Sequence, residues 1–290
     1  MSIIITWWWL FLILFAVVLT AWAFFLEPRW YVLRTVKIRQ VKKLKHPITI
    51  LHLSDIHFIK KIGHKKSFFQ RLSMLNPDLI FVTGDVIDCD DGISTAAQYL
   101  SGLRARYGTF LVLGNHDYYD YRTWDNISYH LMLQKNSPHR NDAERFVKAM
   151  QQIGVKVLVN ESVEFNVHGA QVLIGGTDDP VTQKVEFEQA LRGLSPKTFN
   201  ILLTHQADAL LKLSHGGLDL VCAGHTHGGQ IRIPFFGPIF CDSKLPRRFV
   251  SGLHLYKGIH LFVSRGLGAG RHLFPRFACR PEAVMLELLP

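Results

Sequence analysis

The sequence predicts an α/β fold, and three observations carry that prediction. Short apolar runs rich in β-branched residues alternate with amphipathic helical patterns. Five of those runs end on Asp, His or Asn, and open α/β sheets place their ligand groups outside the carboxyl ends of strands. At 48% hydrophobic and 19% charged, the 290 residues can bury a large core and are not disordered.

The first element is an apolar segment. From Met1 through Leu26 no side chain is charged, and a helix of that length reaches across a hydrocarbon core of about 30 Å. Trp7, Trp8 and Trp9 near one end, with Trp30 and Tyr31 beyond the other, match interfacial aromatic belts. Ala21-Trp22-Ala23 also admits a signal-peptidase site. Against cleavage, no Lys or Arg precedes the run, and the run exceeds the roughly 7–15 residues of a signal core. The expectation is an uncleaved single-pass anchor over residues 1–26.

Residues 27–46 read as a basic juxtamembrane neck. Arg29, Arg34, Lys37, Arg39, Lys42, Lys43 and Lys45 stand against Glu27 alone. Cations on this side only predict that the rest of the chain is cytoplasmic. This stretch supplies six of the ten net positive charges, so the basicity points to anionic head groups. No specific nucleic-acid partner is expected. Cys89, Cys222, Cys241 and Cys279 are scattered, which excludes a disulfide scaffold.

Residues 47–290 read as one catalytic domain. Strands are expected at Ile48–Leu53, Asp78–Thr83, Thr109–Leu113, Lys156–Val159, Ala170–Ile174, Phe199–Thr204, Leu218–Cys222, His260–Ser264 and Ala283–Leu288. Helical patterns fall around Ser67–Leu75, Ser94–Leu103, Asp142–Ile153 and Glu186–Leu194. Residues 118–141 are irregular and read as an excursion near the site.

The strand ends carry the chemistry. The first expected strand runs into Asp55-Ile56-His57, the second into Gly84-Asp85 and the third into Gly114-Asn115-His116-Asp117. Two more end at His205 and at Gly224-His225-Thr226-His227. The i, i+2 pairs Asp55/His57 and His225/His227 share one face of an extended segment. Oxygen and imidazole donors without thiolate suit Mn, Fe or Zn. One bridging carboxylate can hold two cations about 3.5–4 Å apart, a pair that clamps both oxygens of an in-line phosphoryl displacement. Glycines at 84, 114 and 224 are expected to let the backbone turn tightly.

The order D-x-H, G-D, G-N-H-D, H, G-H-x-H resembles the calcineurin-like metallophosphoesterase superfamily across nearly all of residues 47–290. The resemblance implies a four-layer αββα sandwich. It implies two divalent metal ions, manganese first, with iron or zinc as alternatives. One would take Asp55, His57, Asp85 and His227, and the other Asp85, Asn115, His205 and His225. A hydroxide would attack phosphorus, His116 would stabilise or protonate the leaving oxygen, and Asp117 would orient His116.

His225-Thr226-His227-Gly228-Gly229-Gln230 and the tail from Ser264 to Glu282 are similar to a bacterial membrane-associated phosphodiesterase branch. That branch includes enzymes splitting UDP-2,3-diacylglucosamine in lipid A synthesis. It implies a lipid-linked or nucleotide phosphoester substrate and a place at the inner membrane. A broad phosphodiesterase or phosphatase, acting on nucleotides, phospholipids or phosphoproteins, is the alternative. A nucleic-acid-processing enzyme and a non-catalytic anchoring protein are the alternatives of other classes.

Arg265 and Arg271 are candidate phosphate donors. Asp88 reads as a loop brace, and Asp90, Asp91 and Gly92 as a solvated turn. His52, His64, His139, His215, His254, His260 and His272 lack ligand spacing and read as structural. The apolar stretch Ile233–Phe240 reads either as a core hairpin or as a surface for membrane or acyl chain.

Overall fold

The computed structural model describes residues 2–121, 139–213, 216–268 and 275–290. An α-helix over Ser2–Ala21 passes into a π-turn at Trp22–Leu26 and a 3₁₀ turn at Glu27–Arg29. The stretch Trp7–Arg29 has mean hydropathy 2.6 and is long and apolar enough to cross a membrane.

Only Trp30 and Tyr31 separate this helix from strand β1 (Val32–Ile38). There the basic segment departs from the expected neck. Seven of its residues, Val32–Ile38, form a strand with alternating exposure that pairs in parallel with the last strand of the chain. Three of its cations are paired within the domain: Arg34 with Glu282 at 2.8 Å, Lys37 with Glu287 at 3.5 Å and Lys43 with Asp219 at 2.7 Å. Leu33, Thr35 and Lys37 face outward while Val32, Arg34, Val36 and Ile38 turn inward, which suits an edge strand whose one face meets solvent.

The chain continues through β2 (Ile48–Leu53), β3 (Leu79–Thr83) and β4 (Gly108–Val112). A two-residue ladder, β5 (Tyr119–Asp120) with β6 (His139–Arg140), closes part of the expected excursion, whose residues 122–138 lie outside the described ones. Then come β7 (Val155–Val157), β8 (Glu161–Val167), β9 (Ala170–Gly176), β10 (Phe199–Leu203) and β11 (Leu220–Ala223). A small hairpin, β12 (Arg232–Ile233) and β13 (Gly237–Pro238), precedes β14 (Gly252–Tyr256), β15 (Ile259–Val263) and β16 (Glu282–Leu288).

Two six-stranded sheets result. Their orders are β1-β16-β2-β3-β4-β7 and β14-β15-β11-β10-β9-β8. The middle strands are apolar runs buried on both faces, as parallel strands require. Ile50, Phe81 and Leu286 of the first sheet meet Val172, Ile201 and Phe262 of the second in the central core. Each such side chain contributes about 1.5–3 kcal/mol when removed from water.

On the outer face of the first sheet, helices Lys66–Leu72, Ile93–Leu100 and Ala143–Gln152 bury Phe69, Ala96, Phe146 and Met150. The outer face of the second sheet is covered mostly by 3₁₀ turns and loops, through Ala207, Leu210, Leu245 and Phe249. The helix expected at Glu186–Leu194 is a single turn, Phe187–Ala190. Two stacked sheets between outer layers match the expected αββα sandwich, with short turns and one helical turn as its fourth layer.

Register decides where the site lies. Val284 of β16 stands opposite His52 near the carboxyl end of β2, and Val32 stands beside Glu282. The chain therefore enters the sheet from the apolar helix at the same end where β2, β3 and β4 terminate. Parallel pairing of β9, β10, β11 and β15 orients that sheet as one unit. His205 Nδ1 donates to Thr83 O at 2.8 Å, joining the carboxyl ends of both sheets.

Candidate metal centre

Three of the five strand ends deliver their side chains through strained turns. Asp55, His57, Asp85, His225 and His227 all hold φ between 48° and 70°. They are five of the thirteen non-glycine residues with positive φ among the described residues. Such conformations cost of order 1–3 kcal/mol each and persist where surrounding contacts over-determine them. Gly84 alone of the three expected turn glycines has positive φ, at 77°. Gly114 and Gly224 instead permit close approach: a Cβ at 114 would meet Asp85 Oδ1, and one at 224 would meet Ser54 Oγ and Asp55 Oδ2.

The predicted ligands converge on two adjoining clusters, Asp55/His57/His227 and Asp85/His205/His225. Asp85 sits between them. Its Oδ2 lies 3.3 Å from His205 Nε2 and 3.8 Å from His57 Nε2, while Oδ1 accepts the His116 amide at 2.8 Å. Within the first cluster, His57 Nε2 faces His227 Nε2 at 3.3 Å, and Asp55 Oδ1 is 3.6 Å from His227 Nε2. Within the second, His225 Nδ1 lies 3.2 Å from His205 Nε2. Asp55 is held by the His225 amide, 3.0 and 3.1 Å from its two oxygens. Asn115 Oδ1 is buried with no hydrogen-bond partner among the described residues, as a carbonyl aimed at a cation would be.

Hydrogen bonds on the far side of the rings set the tautomers. The Thr83 carbonyl fixes the proton of His205 on Nδ1, and Asp88 Oδ1 does the same for His57 at 3.0 Å. Both rings thus turn Nε2 toward the cluster, the arrangement of metal-ligating histidines. His227 differs: its Nδ1 faces Arg276 Nη2 at 3.1 Å, and guanidinium can only donate.

The charges are strongly coupled. Burial opposes ionisation of Asp85, yet His205, His116 and His57 hold its carboxyl well below the ordinary value. Burial likewise opposes charge on His205 and His116, but neighbouring carboxylates, Asp85 foremost, raise both above the usual imidazole range. Burial and then the positive fields of His57 and Arg276 push His227 well down.

One expected role is corrected. Asp117 does not face the His116 ring. Its carboxylate accepts the amides of Gly114, Val86 and Ile87 at 2.8, 2.9 and 3.1 Å, bracing the turns that carry Asp85 and Asn115. Burial and Asp85 raise its pKa to about 7. The carboxylate beside His116 is that of Asp88, with Oδ1 2.9 Å from Nδ1, close but off the line of a hydrogen bond. Asp88 thus braces two histidines rather than only its loop.

Two further residues support the site. Lys65 Nζ donates to the carbonyls of Ile56 at 2.5 Å and His57 at 3.2 Å, clamping the D-x-H turn. Arg276 is fully buried and donates to the carbonyls of Cys279, Arg265 and Gly268 besides facing His227. Of the two expected phosphate donors, Arg265 has a buried Nε with no partner among the described residues. Arg271 lies outside the described residues, as do His215 and His272.

Two sheets converging on paired Asp/His clusters at their carboxyl ends define a metal-binding hydrolase of phosphoric esters. The chain belongs to the calcineurin-like phosphoesterase family, whose sequence model matches residues 48–229, more than half of its length. It is 31% identical over 241 residues to the uncharacterized metallophosphoesterase YkuE of Bacillus subtilis, covering 82% of this chain and 76% of that one. It is 29% identical over 275 residues to the phosphodiesterase YaeI of Escherichia coli, covering 91% and 90%. The UDP-2,3-diacylglucosamine pyrophosphatase LpxG of Chlamydia muridarum is 28% identical over 321 residues, covering 92% of each.

Proposed function

We propose that this chain is a membrane-anchored phosphodiesterase or pyrophosphatase that cleaves UDP-2,3-diacylglucosamine to UMP and 2,3-diacylglucosamine 1-phosphate. The observation carrying this reading is that the apolar helix enters the first sheet at the very end where the Asp/His clusters lie. A site there faces a substrate whose acyl chains stay in the bilayer. The near-complete overlap with LpxG supports the substrate class. The cations around the helix end support a place at the inner membrane with the domain in the cytoplasm.

Asp55, His57, Asp85 and His227 would hold one divalent cation, and Asp85, Asn115, His205 and His225 a second. The donor set suits manganese first and iron or zinc next. Bound cations would supply Lewis-acid polarisation of the phosphoryl oxygens. The chain's own groups do the rest. Asp85 is fixed between the clusters by the His116 amide, and Asp88 keeps the His57 ring turned inward. His116, with a raised pKa, holds a proton for the departing oxygen. Arg265 offers a donor to phosphate.

The test is turnover of UDP-2,3-diacylglucosamine by the full chain with Mn²⁺, with UMP identified as product and Asp85→Ala as control. UMP release no faster than that control rejects this substrate. The overlap with YaeI supports a second reading, a phosphodiesterase of broader range. A panel of nucleotide, phospholipid and model diesters separates the two readings.

A further inference from the structure

We propose that the hairpin between Ile231 and Phe240 inserts its tip into the bilayer beside the anchor helix, making a second membrane contact next to the metal centre. This rests on the reading of the N-terminal helix as a membrane anchor.

The hairpin is the outward continuation of the G-H-x-H turn. Four residues after His227 the chain enters it, and Ile239 N returns to Ile231 O at 3.0 Å to close its base. Its tip is Pro234-Phe235-Phe236. Phe235 and Phe236 are 106% and 86% exposed, and Phe240 is 80% exposed. Ile233 and Ile239 add exposed aliphatic surface at the flanks. Phe235 also holds φ at 70°, a left-handed conformation that a bulky residue adopts rarely. A water-facing turn would favour Gly or Asn there. This one presents rings instead, and contiguous exposed apolar surface marks an interaction site.

The bilayer, rather than another protein, follows from what the hairpin is tied to. One short segment links it to the end of the anchor. Arg276 N donates to Ala23 O at 2.9 Å, and the Cys279 amide donates to the Glu27 carboxylate. Between those two contacts, Phe277 bonds on both sides to the hairpin, donating to Gln230 O and accepting from Arg232 N, each at 2.9 Å. The hairpin base is therefore one residue removed from the point where the apolar helix touches the domain.

Charge agrees. The 3₁₀ turn Arg247–Phe249 packs against Gly237–Pro238, and it and the preceding loop expose Lys244, Arg247 and Arg248. The acid in that loop, Asp242, lies 3.5 Å from His225 Nε2. At the anchor end, the Arg280 guanidinium lies over the Trp30 ring at 4.4 Å. Apolar rings with cations behind them match a leaflet with anionic head groups. The consequence is that a lipid-linked phosphate reaches the clusters without leaving the interface.

The experiment uses the full chain in vesicles of phosphatidylcholine and phosphatidylglycerol. Phe236, Phe15 and Met74 are each replaced in turn by p-benzoylphenylalanine and irradiated. Phe15 lies in the anchor. Met74 is 76% exposed and precedes the amino end of β3, at the opposite end of the sheet. The expected result is lipid adducts at 236 comparable to those at 15 and lost at 74. Adducts at 15 with none at 236 overturn the hairpin contact while leaving the anchor standing. No adducts at 15 overturn the anchor, and the hairpin proposal with it. A crosslink from 236 to a second copy of the chain also overturns the proposal, in favour of self-association.

Discussion

Asp88 Oδ1 accepts the Nδ1 proton of His57 across 3.0 Å, with both side chains buried. That bond decides which nitrogen of His57 faces the cluster. Loss of such a partner typically weakens metal binding 10–100-fold. Asp88→Ala is expected to lower the affinity for added Mn²⁺ by about that factor, read by metal titration of the purified chain. Unchanged affinity would show that the ring is oriented by something else.

His116 is predicted to serve the leaving oxygen. Removing a general acid costs about 10²–10⁴ in rate when the leaving group needs a proton, and far less when it does not. His116→Ala should therefore depress kcat steeply for an alkyl phosphodiester and mildly for a p-nitrophenyl one. Equal losses on both substrates would assign His116 a binding role only.

Arg276 joins three carbonyls and one imidazole from a fully buried position. Hydrogen bonds to a charged group contribute about 1.5–3 kcal/mol each, and removing this one donor leaves several buried acceptors unpaired. Arg276→Ala is expected to lower unfolding stability by roughly 3 kcal/mol or more, measured by denaturant melts. A loss below about 1 kcal/mol would mean that water replaces the guanidinium.

Asp78, at the end of the sheet away from the clusters, gives a pH dependence. Burial raises its pKa, but bonds from the Thr49 amide and hydroxyl, each 2.8 Å, and from His168 at 2.7 Å bring the net value below the ordinary one. A depressed carboxylate contributes stability that is fully present above its unfolded pKa near 3.9 and lost as pH falls through the folded value. Asp78→Asn should remove roughly 1–3 kcal/mol at neutral pH and flatten this part of the acid-side decline. The check is the melting temperature of both proteins between neutral and acidic pH.

The strands most legible in the sequence were those buried on both faces, and of the edge strands only β7 (Val155–Val157) was expected. Ile48–Leu53, Leu79–Thr83 and Phe199–Leu203 are nearly continuous apolar runs of strand length. The edge strands β1, β8 and β14 were not legible, because polar or charged residues (Arg34, Thr35 and Lys37; Glu161, Glu164 and Asn166; His254) interrupt their apolar runs. In β1 those charges made the strand look like a neck. The ligands were legible because strand, glycine and donor recur together. Asp88 and Arg276 were not, since each acts on a ring nitrogen turned away from the cluster, across 31 and 49 residues of chain. Only packing brings such partners together. Asp117 was misassigned for the same reason: adjacency to His116 in sequence says nothing about which way a turn points its carboxylate.

The two-residue join between Arg29 and β1 leaves the domain almost no slack. A long tether would let a catalytic head sweep a hemisphere of solution. A head fused to its stalk keeps a fixed standoff and tilt, and explores only the area its stalk drifts over. With the helix in a bilayer and the substrate lipid-linked, as proposed above, encounter would become a two-dimensional search in the plane of the leaflet. Its rate would then be set by surface density rather than by bulk concentration, and a water-soluble diester, however well it fits the clusters, would gain nothing from it.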